Sequence, residues 1–507
     1  MPPIYAGEQP RNPSRWADAA SVFAIAAAIA LLHLLTNSRY GFHRDELQFL
    51  SDARHLDWGF VAYPPFTPFI ERISLGLFGL NMVGLRLFSV LAQATVIVLA
   101  GLMAKELGGA RLAQITAALA VALSALPLFN GTEFQYTSFD YLWWVLVAYL
   151  TIRLLKSENP RWWLAIGAVV GVGLETKYTV LFLAVSLVIG ILISPVRRLL
   201  LSRWFAIGAA LAFAISLPNL LWQFRHDFIS LHFLEYIHAR DMRWGRGDRF
   251  WFKQFIVCAN IYSTPLWIAG IWLYLRSPRF RPMALMFLLP AIFYTLSHAV
   301  FYYLAPTYPM LIAMGAVGFE SWCARLRRGW AVALTAVLFI GLLSAGAYGI
   351  AIVVPLEANG PLRNFALAQN EALREEFGWD ELVQTVAQIR DSLPPDQQAH
   401  LGITTGNYGE YGAIEILGRA YGLPEPIGTT NSEWYRGYPS PPPTTLIVLG
   451  LGEDEANALF TGCRLAGRNG NSEGLRNEES QYHSDIFVCG PPRKPWPEIW
   501  KEHRDFG

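Results

Sequence analysis

The sequence predicts a multi-span α-helical membrane protein that ends in a soluble α/β domain. Three observations carry this prediction. Charged residues make up only 16% of the chain, against about 25% in soluble globular proteins. Long apolar runs recur over the first 354 of its 507 residues, and mean hydropathy is +0.30. Past residue 355 the chain turns polar, and short β-type runs replace the long ones. A net charge of +1 gives no footprint for a nucleic-acid partner.

Eleven apolar segments are expected to cross the bilayer: 17–36, 83–104, 111–129, 139–155, 161–175, 177–194, 203–221, 255–275, 282–298, 303–320 and 330–354. The fifth and sixth are short and meet at "GLETKYTV". Alternate loops are short and basic. They hold Lys105 and Arg111; Arg153, Lys156 and Arg161; Arg197, Arg198 and Arg203; Arg276, Arg279 and Arg281; and Arg325, Arg327 and Arg328. The positive-inside rule makes this side cytoplasmic. Met1–Trp16 joins it with Arg11 and Arg15, and shows no signal-peptide cleavage pattern. An odd number of spans puts the C-terminal end outside. The expected domains are a membrane domain, 1–354, and an extracytoplasmic α/β domain, 355–507.

The outer side carries the long loops. The first, 37–82, contains "DELQFLSDARHLDWGF" and "PPFTPFIERISLGLFGL", which read as helices lying along the membrane surface. The second, 222–253, mixes Arg, Asp, His and aromatic residues. In the tail, "AHLGITTGNYGEYGAIEILGRAYGL" reads as strand, glycine-rich turn and helix; "TTLIVLG" and "DIFVC" read as buried strands. "GNYGEYGA" lacks dinucleotide-binding spacing and reads as a tight turn. Cys258 and Cys323 fall in or beside apolar runs. Cys463 and Cys489 can pair if the tail is extracytoplasmic.

Ionisable groups at membrane depth are costly and therefore candidates for function. Asp45 and Glu46 follow the first span. They either open an amphipathic helix, where its dipole favours them, or supply a general base. Tyr63-Pro64-Pro65 rigidly starts the next helix. Asp140 is either a helix cap or a second carboxylate facing the first. Lys177 either pairs with Glu175 or grips a lipid phosphate. Arg240, Arg243, Arg246 and Arg249 either grip phosphate or touch lipid headgroups. The histidines of these loops, His43, His55, His226, His232 and His238, lack the i, i+4 pairing of a metal site.

In order, "GFHRDELQFL", "YPPF", "GLRLFSVLAQATVIVLAGLMAKELGG", "FDYLWW", "GLETKYTVLFL" and "YYLAPTYPMLIAMGA" cover roughly residues 30–320. This ordered set resembles the bacterial GT-C membrane glycosyltransferases of the dolichyl-phosphate-mannose-protein mannosyltransferase type. That group includes lipid A aminoarabinose transferases and lipopolysaccharide-core galacturonosyltransferases. The tail also looks like the soluble extension of many such chains. The resemblance implies transfer of a sugar from a polyprenyl-phosphate carrier to a hydroxyl of a protein, lipid or envelope glycan at the outer face of the inner membrane. It implies that Asp45, accompanied by Glu46, activates or orients that hydroxyl, that Asp140 is the second acidic position, and that Lys177 meets the donor phosphate. One departure stands out. Where the aminoarabinose transferases read Glu-Lys-Pro-Pro-Leu, this chain has Ala62-Tyr63-Pro64-Pro65-Phe66. Phosphate binding then falls to Lys177 or to the Arg240–Arg249 group, with a hydrogen bond from the Tyr63 hydroxyl. No nucleotide or redox cofactor is called for, and no ligand spacing supports a divalent cation. The competing reading is a flippase or exporter of lipid-linked sugars, which would need charges lining a path through the spans.

Overall fold

The computed structural model describes residues 15–507, with side chains from Ala20 onward; Arg11 lies outside the described residues. The chain forms two compact units. The first takes residues up to Asn37, Arg86–Leu221 and His238–Val354. The second takes Ser38–Leu85, Trp222–Ile237 and Pro355–Gly507.

The first unit is helical. Among the described residues, four helices are long and apolar enough to cross a membrane: Met82–Glu106, Tyr136–Ser157, Arg203–Arg225 and Arg328–Val353. Shorter apolar helices include Trp162–Leu174, Val180–Leu192 and Arg281–Leu296. Exposed Leu181, Leu192, Phe213, Ile292, Val337 and Ile340 provide the apolar surface that lipid would cover. Helices Thr264–Arg276 and Tyr308–Cys323 meet where a Cβ on Gly270 or Gly315 would strike the opposite backbone. Such small residues let apolar helices approach closely.

Two expected spans are broken. Segment 255–275 bends by 100° between Phe250–Cys258 and Ile261–Arg276. Segment 111–129 splits into Arg111–Ala122 and Ala125–Asn130. One residue bridges the two breaks. Asn260 Nδ2 donates to Leu123 O (2.9 Å) and Leu342 O (3.0 Å), and Asn260 N–H donates to Ser124 Oγ (2.9 Å). The freed backbone groups are thus satisfied inside protein, as apolar surroundings demand.

The basic loops are tied together. Lys156 pairs with Glu106 (2.9 Å), Arg279 with Glu158 (2.9 Å), and Arg198 also with Glu158. Glu320 accepts from the N–H groups of Ala110 (2.7 Å) and Ala113 (3.2 Å).

The second unit is α/β. Strands β1 (Leu401–Thr405), β2 (Ile427–Gly428), β3 (Thr445–Val448), β4 (Arg464–Arg468) and β5 (Asp485–Cys489) form one sheet in the order β2-β1-β3-β5-β4. The first two pairings are parallel and the last two antiparallel. A disulfide joins Cys463 to Cys489, beside the adjacent ends of β4 and β5. The first loop belongs to this unit, which composition did not reveal. Helix Arg44–Arg54 packs against helix Tyr408–Ile416 and is buried on nearly every side. It is therefore not the membrane-surface helix expected. Helix Phe66–Phe78 buries Thr67, Glu71 and Ser74 and exposes Phe69, Ile73 and Leu77. Its outward face is the apolar one. Trp222, Ile229 and Phe233 from the second loop pack with Val61 and Phe506.

Candidate active site

Each unit holds part of the candidate chemistry. In the helical unit, Tyr136–Ser157 presents Asp140 in its second turn. Its N-cap is Gln135, so Asp140 is not the cap that its position suggested. Both Asp140 oxygens accept from Thr179 Oγ1, at 2.9 and 3.0 Å. Lys177 lies in the turn between Trp162–Leu174 and Val180–Leu192. Its electrostatic partner is Asp140, not Glu175. Three rings enclose the ammonium: Tyr303 at 4.3 Å, Tyr136 at 4.9 Å and Tyr302 at 5.0 Å from their centroids. Ring faces and one carboxylate attract a cation and fix its place.

The arginine-rich segment belongs to the same neighbourhood. Arg240 and Arg246 flank the Trp244 ring at 4.9 Å each. Asp241 pairs with Arg246 (3.2 Å) and Arg240 (3.6 Å). Asp241 and Arg246 lie within electrostatic reach of Tyr303, which also encloses Lys177. Arg243 is exposed on the same helix.

In the α/β unit, His43 caps Arg44–Arg54. Its Nδ1 accepts from Asp45 N–H (3.2 Å), and Glu46 accepts from His43 N–H (2.9 Å). Glu46 is fully buried in this capping box. One Glu46 oxygen is thus engaged in holding the start of this helix. Asp45 remains partly exposed, and its Oδ1 accepts from the Tyr408 hydroxyl at 2.9 Å. Tyr63 is buried and its hydroxyl donates to Asp52 Oδ2, so it does not offer the free hydroxyl expected for phosphate.

Asp52 anchors a buried charge cluster. Arg436 reaches Asp52 (2.5 Å), Ser51 Oγ (2.6 Å) and Glu415 (3.5 Å), while His55 meets Glu415 at 2.8 Å. Burial pushes the Asp52 carboxyl up to about 6, opposed by Arg436 and the Tyr63 hydrogen bond. Burial likewise raises Glu433 to about 8. Arg436 opposes both shifts, and burial outweighs it. Among the described residues, no group of three or more His, Cys, Asp or Glu side chains is arranged to hold a metal ion.

Residues 62–222 match the family of dolichyl-phosphate-mannose-protein mannosyltransferases. That segment, about a third of the chain, is similar to this glycosyltransferase family. The lipid A galacturonosyltransferase RgtD of Rhizobium johnstonii is 28% identical over 237 residues, 45% of this chain. The match spans about half of that relative, 48% of its length. Among solved structures, ArnT from Cupriavidus metallidurans bound to undecaprenyl phosphate superposes with a TM-score of 0.59 at 16% identity. That match covers 94% of this chain and 98% of ArnT. The archaeal oligosaccharyltransferase AglB from Archaeoglobus fulgidus, in complex with an inhibitory peptide and a dolichol-phosphate, gives 0.52 at 11% identity, over 86% of this chain and 70% of AglB. At these identities the likeness is one of fold. The chain thus has the fold of GT-C membrane enzymes.

Asp140 and Lys177 both lie in the mannosyltransferase-family segment, as do Tyr136 and Thr179, which sequence reasoning passed over. Tyr302 and Tyr303 lie beyond it. "YYLAPTYP" was visible as a motif, but nothing in it announces a cage for a lysine 125 residues away. Asp52 lies seven residues after Asp45, on the buried side of one helix. That spacing is the signal that could have found it.

Proposed function

We propose that the chain is a membrane glycosyltransferase that moves a sugar from a polyprenyl-phosphate donor to an acceptor hydroxyl, with inversion at the anomeric carbon. The observation that carries this reading is Lys177, enclosed by three tyrosines and faced by Asp140 in a helical unit of this family. A fixed cation at membrane depth suits a lipid phosphate. The undecaprenyl phosphate of the ArnT structure and the lipid A specificity of RgtD point to donor and acceptor classes.

Lys177, helped by the cations of the Arg240, Arg243 and Arg246 segment, neutralises the charge that develops on the leaving phosphate. Asp140 holds Lys177 in orientation. Asp45 of the α/β unit takes the proton from the acceptor hydroxyl. That oxygen bonds to the anomeric carbon as the bond from the carbon to the phosphate oxygen breaks. The electron pair leaves with polyprenyl phosphate. Neither Tyr63 nor Glu46 takes part. Eleven crossings are retained, with the bent 250–276 pair counted as one. The N-terminus is cytoplasmic and the α/β unit extracytoplasmic, on the inner membrane. The ion pairs that link the alternate basic loops support this orientation.

The test is made in lipid nanodiscs. Wild type and Asp45→Asn are incubated with undecaprenyl phosphates carrying galacturonic acid, aminoarabinose or mannose, with and without lipid A. Mass spectrometry reads released undecaprenyl phosphate. Release by the wild type that falls at least about a hundredfold in the variant is expected for loss of a general base. Undiminished turnover by a well-folded Asp45→Asn would overturn the assignment.

A further inference from the structure

We propose that Arg161 and Arg203, grouped around the Trp204 ring, form a binding site for the headgroup of an anionic phospholipid in the leaflet that meets the basic loops. This inference goes beyond the transferase reading and does not depend on it.

Close packing builds the site. Helices Trp162–Leu174 and Arg203–Arg225 cross near their starts. A Cβ on Gly167 would strike Gly208 O, and one on Gly208 would strike Trp163 O. Trp163 packs edge-on against Phe205 at 4.9 Å, and its Nε1 donates to Leu199 O (3.0 Å). These contacts bring Arg161, just before one helix, and Arg203, at the start of the other, to the same indole. Their guanidinium carbons lie 5.6 and 5.2 Å from the Trp204 ring centroid. An indole favours the membrane–water boundary, and its ring face attracts both cations. Positive charge is thus held at a set depth.

Charge complementarity defines the ligand. The neighbouring cations of the basic loops are neutralised. Glu106 pairs with Arg153 (3.5 Å) and Lys156 (2.9 Å), while Glu158 pairs with Arg279 (2.9 Å) and Arg198. Among the described residues, no carboxylate pairs with Arg161 or Arg203, and both are exposed. The surface beside them is apolar. Ile207 and Leu211 follow Arg203 at i+4 and i+8 on one face of its helix, 47% and 36% exposed. Only 17% of the apolar stretch of this helix is buried. A ligand here carries negative charge at the bilayer surface and hydrocarbon below it. A phospholipid with a net-negative headgroup has that form. Its phosphate meets the two guanidinium groups, which suit phosphate oxygens, and an acyl chain lies along Ile207 and Leu211.

The test uses the full chain in detergent, titrated with phosphatidylglycerol or phosphatidylcholine and read by native mass spectrometry. Wild type retains phosphatidylglycerol in preference to phosphatidylcholine. Each arginine near the surface contributes about a factor of five to anionic-lipid binding, so Arg161→Gln with Arg203→Gln weakens the site about thirtyfold. Arg325→Gln with Arg327→Gln removes two exposed arginines of another basic loop and leaves the affinity at the wild-type value. A second measurement needs no variant. Phosphatidylglycerol with a diazirine in its acyl chain is photocrosslinked to wild type, and the labelled peptides contain Ile207 or Leu211. Equal affinity for the two lipids, equal losses in the two double variants, or labels that avoid helix Arg203–Arg225 would each overturn the inference.

Discussion

Gly412→Ala puts a single methyl group between helices Tyr408–Ile416 and Arg44–Arg54. The added Cβ would lie 2.5 Å from Leu47 O and 2.6 Å from Leu47 C, where ordinary contact begins at 3.4 Å. The obstacle is backbone of a buried helix and cannot rotate aside. The helices must separate by several tenths of an ångström, or the Arg44–Arg54 helix must bend. Overpacking of this kind costs about 1–3 kcal/mol. Alanine's better helix propensity returns about 0.5–1 kcal/mol. The net loss is up to about 2.5 kcal/mol, which lowers the melting temperature of a unit this size by up to about 10 °C. Tryptophan fluorescence of the full chain in nanodiscs reads the transition. Gly76→Ala is the control. It lies in helix Phe66–Phe78 of the same unit with nothing within 4 Å of the added Cβ, so its melting temperature holds or rises. If Gly412→Ala melts at or above wild type, the two helices are not in the close contact described.

Two further outcomes concern the charge cluster. Arg436→Met leaves Asp52 and Glu415 buried without their shared cation, at a cost of about 3–5 kcal/mol, seen as a lower denaturant midpoint. The variant should regain part of that stability on addition of Asp52→Asn. For pH, Asp52 at about 6 and Glu433 at about 8 both lie above their unfolded values, so the folded chain binds more protons. Their contribution is complete below about pH 4 and is lost as pH rises through about 8. Melting temperature should therefore fall between pH 5 and pH 8. Glu433→Gln should flatten the upper part of that slope, and an unchanged slope in that variant would refute the assignment.

The sequence by itself determined the features that follow from composition and period. Apolar runs announce helices in lipid because the bilayer offers the backbone no other partner, and short strands among polar turns announce the sheet. Alternate basic loops and the positions of Asp45, Asp140 and Lys177 were legible for the same reason: a charge near an apolar run is conspicuous. Only the tertiary structure decided what those charges meet. Lys177 faces Asp140 although Glu175 is two residues away, because the turn that carries it opens toward Tyr136–Ser157. Tyr63 is expected to offer its hydroxyl to phosphate, yet from its loop that hydroxyl donates to Asp52 on helix Arg44–Arg54. Asn260, a polar residue in an apolar run, bonds carbonyls 82 and 137 residues distant. Tyr408 reaches Asp45 across 363 residues through glycines that looked like a turn. Local pattern fixes which backbone forms are stable, whereas hydrogen bonds and close contacts between distant segments depend on packing that no short window contains.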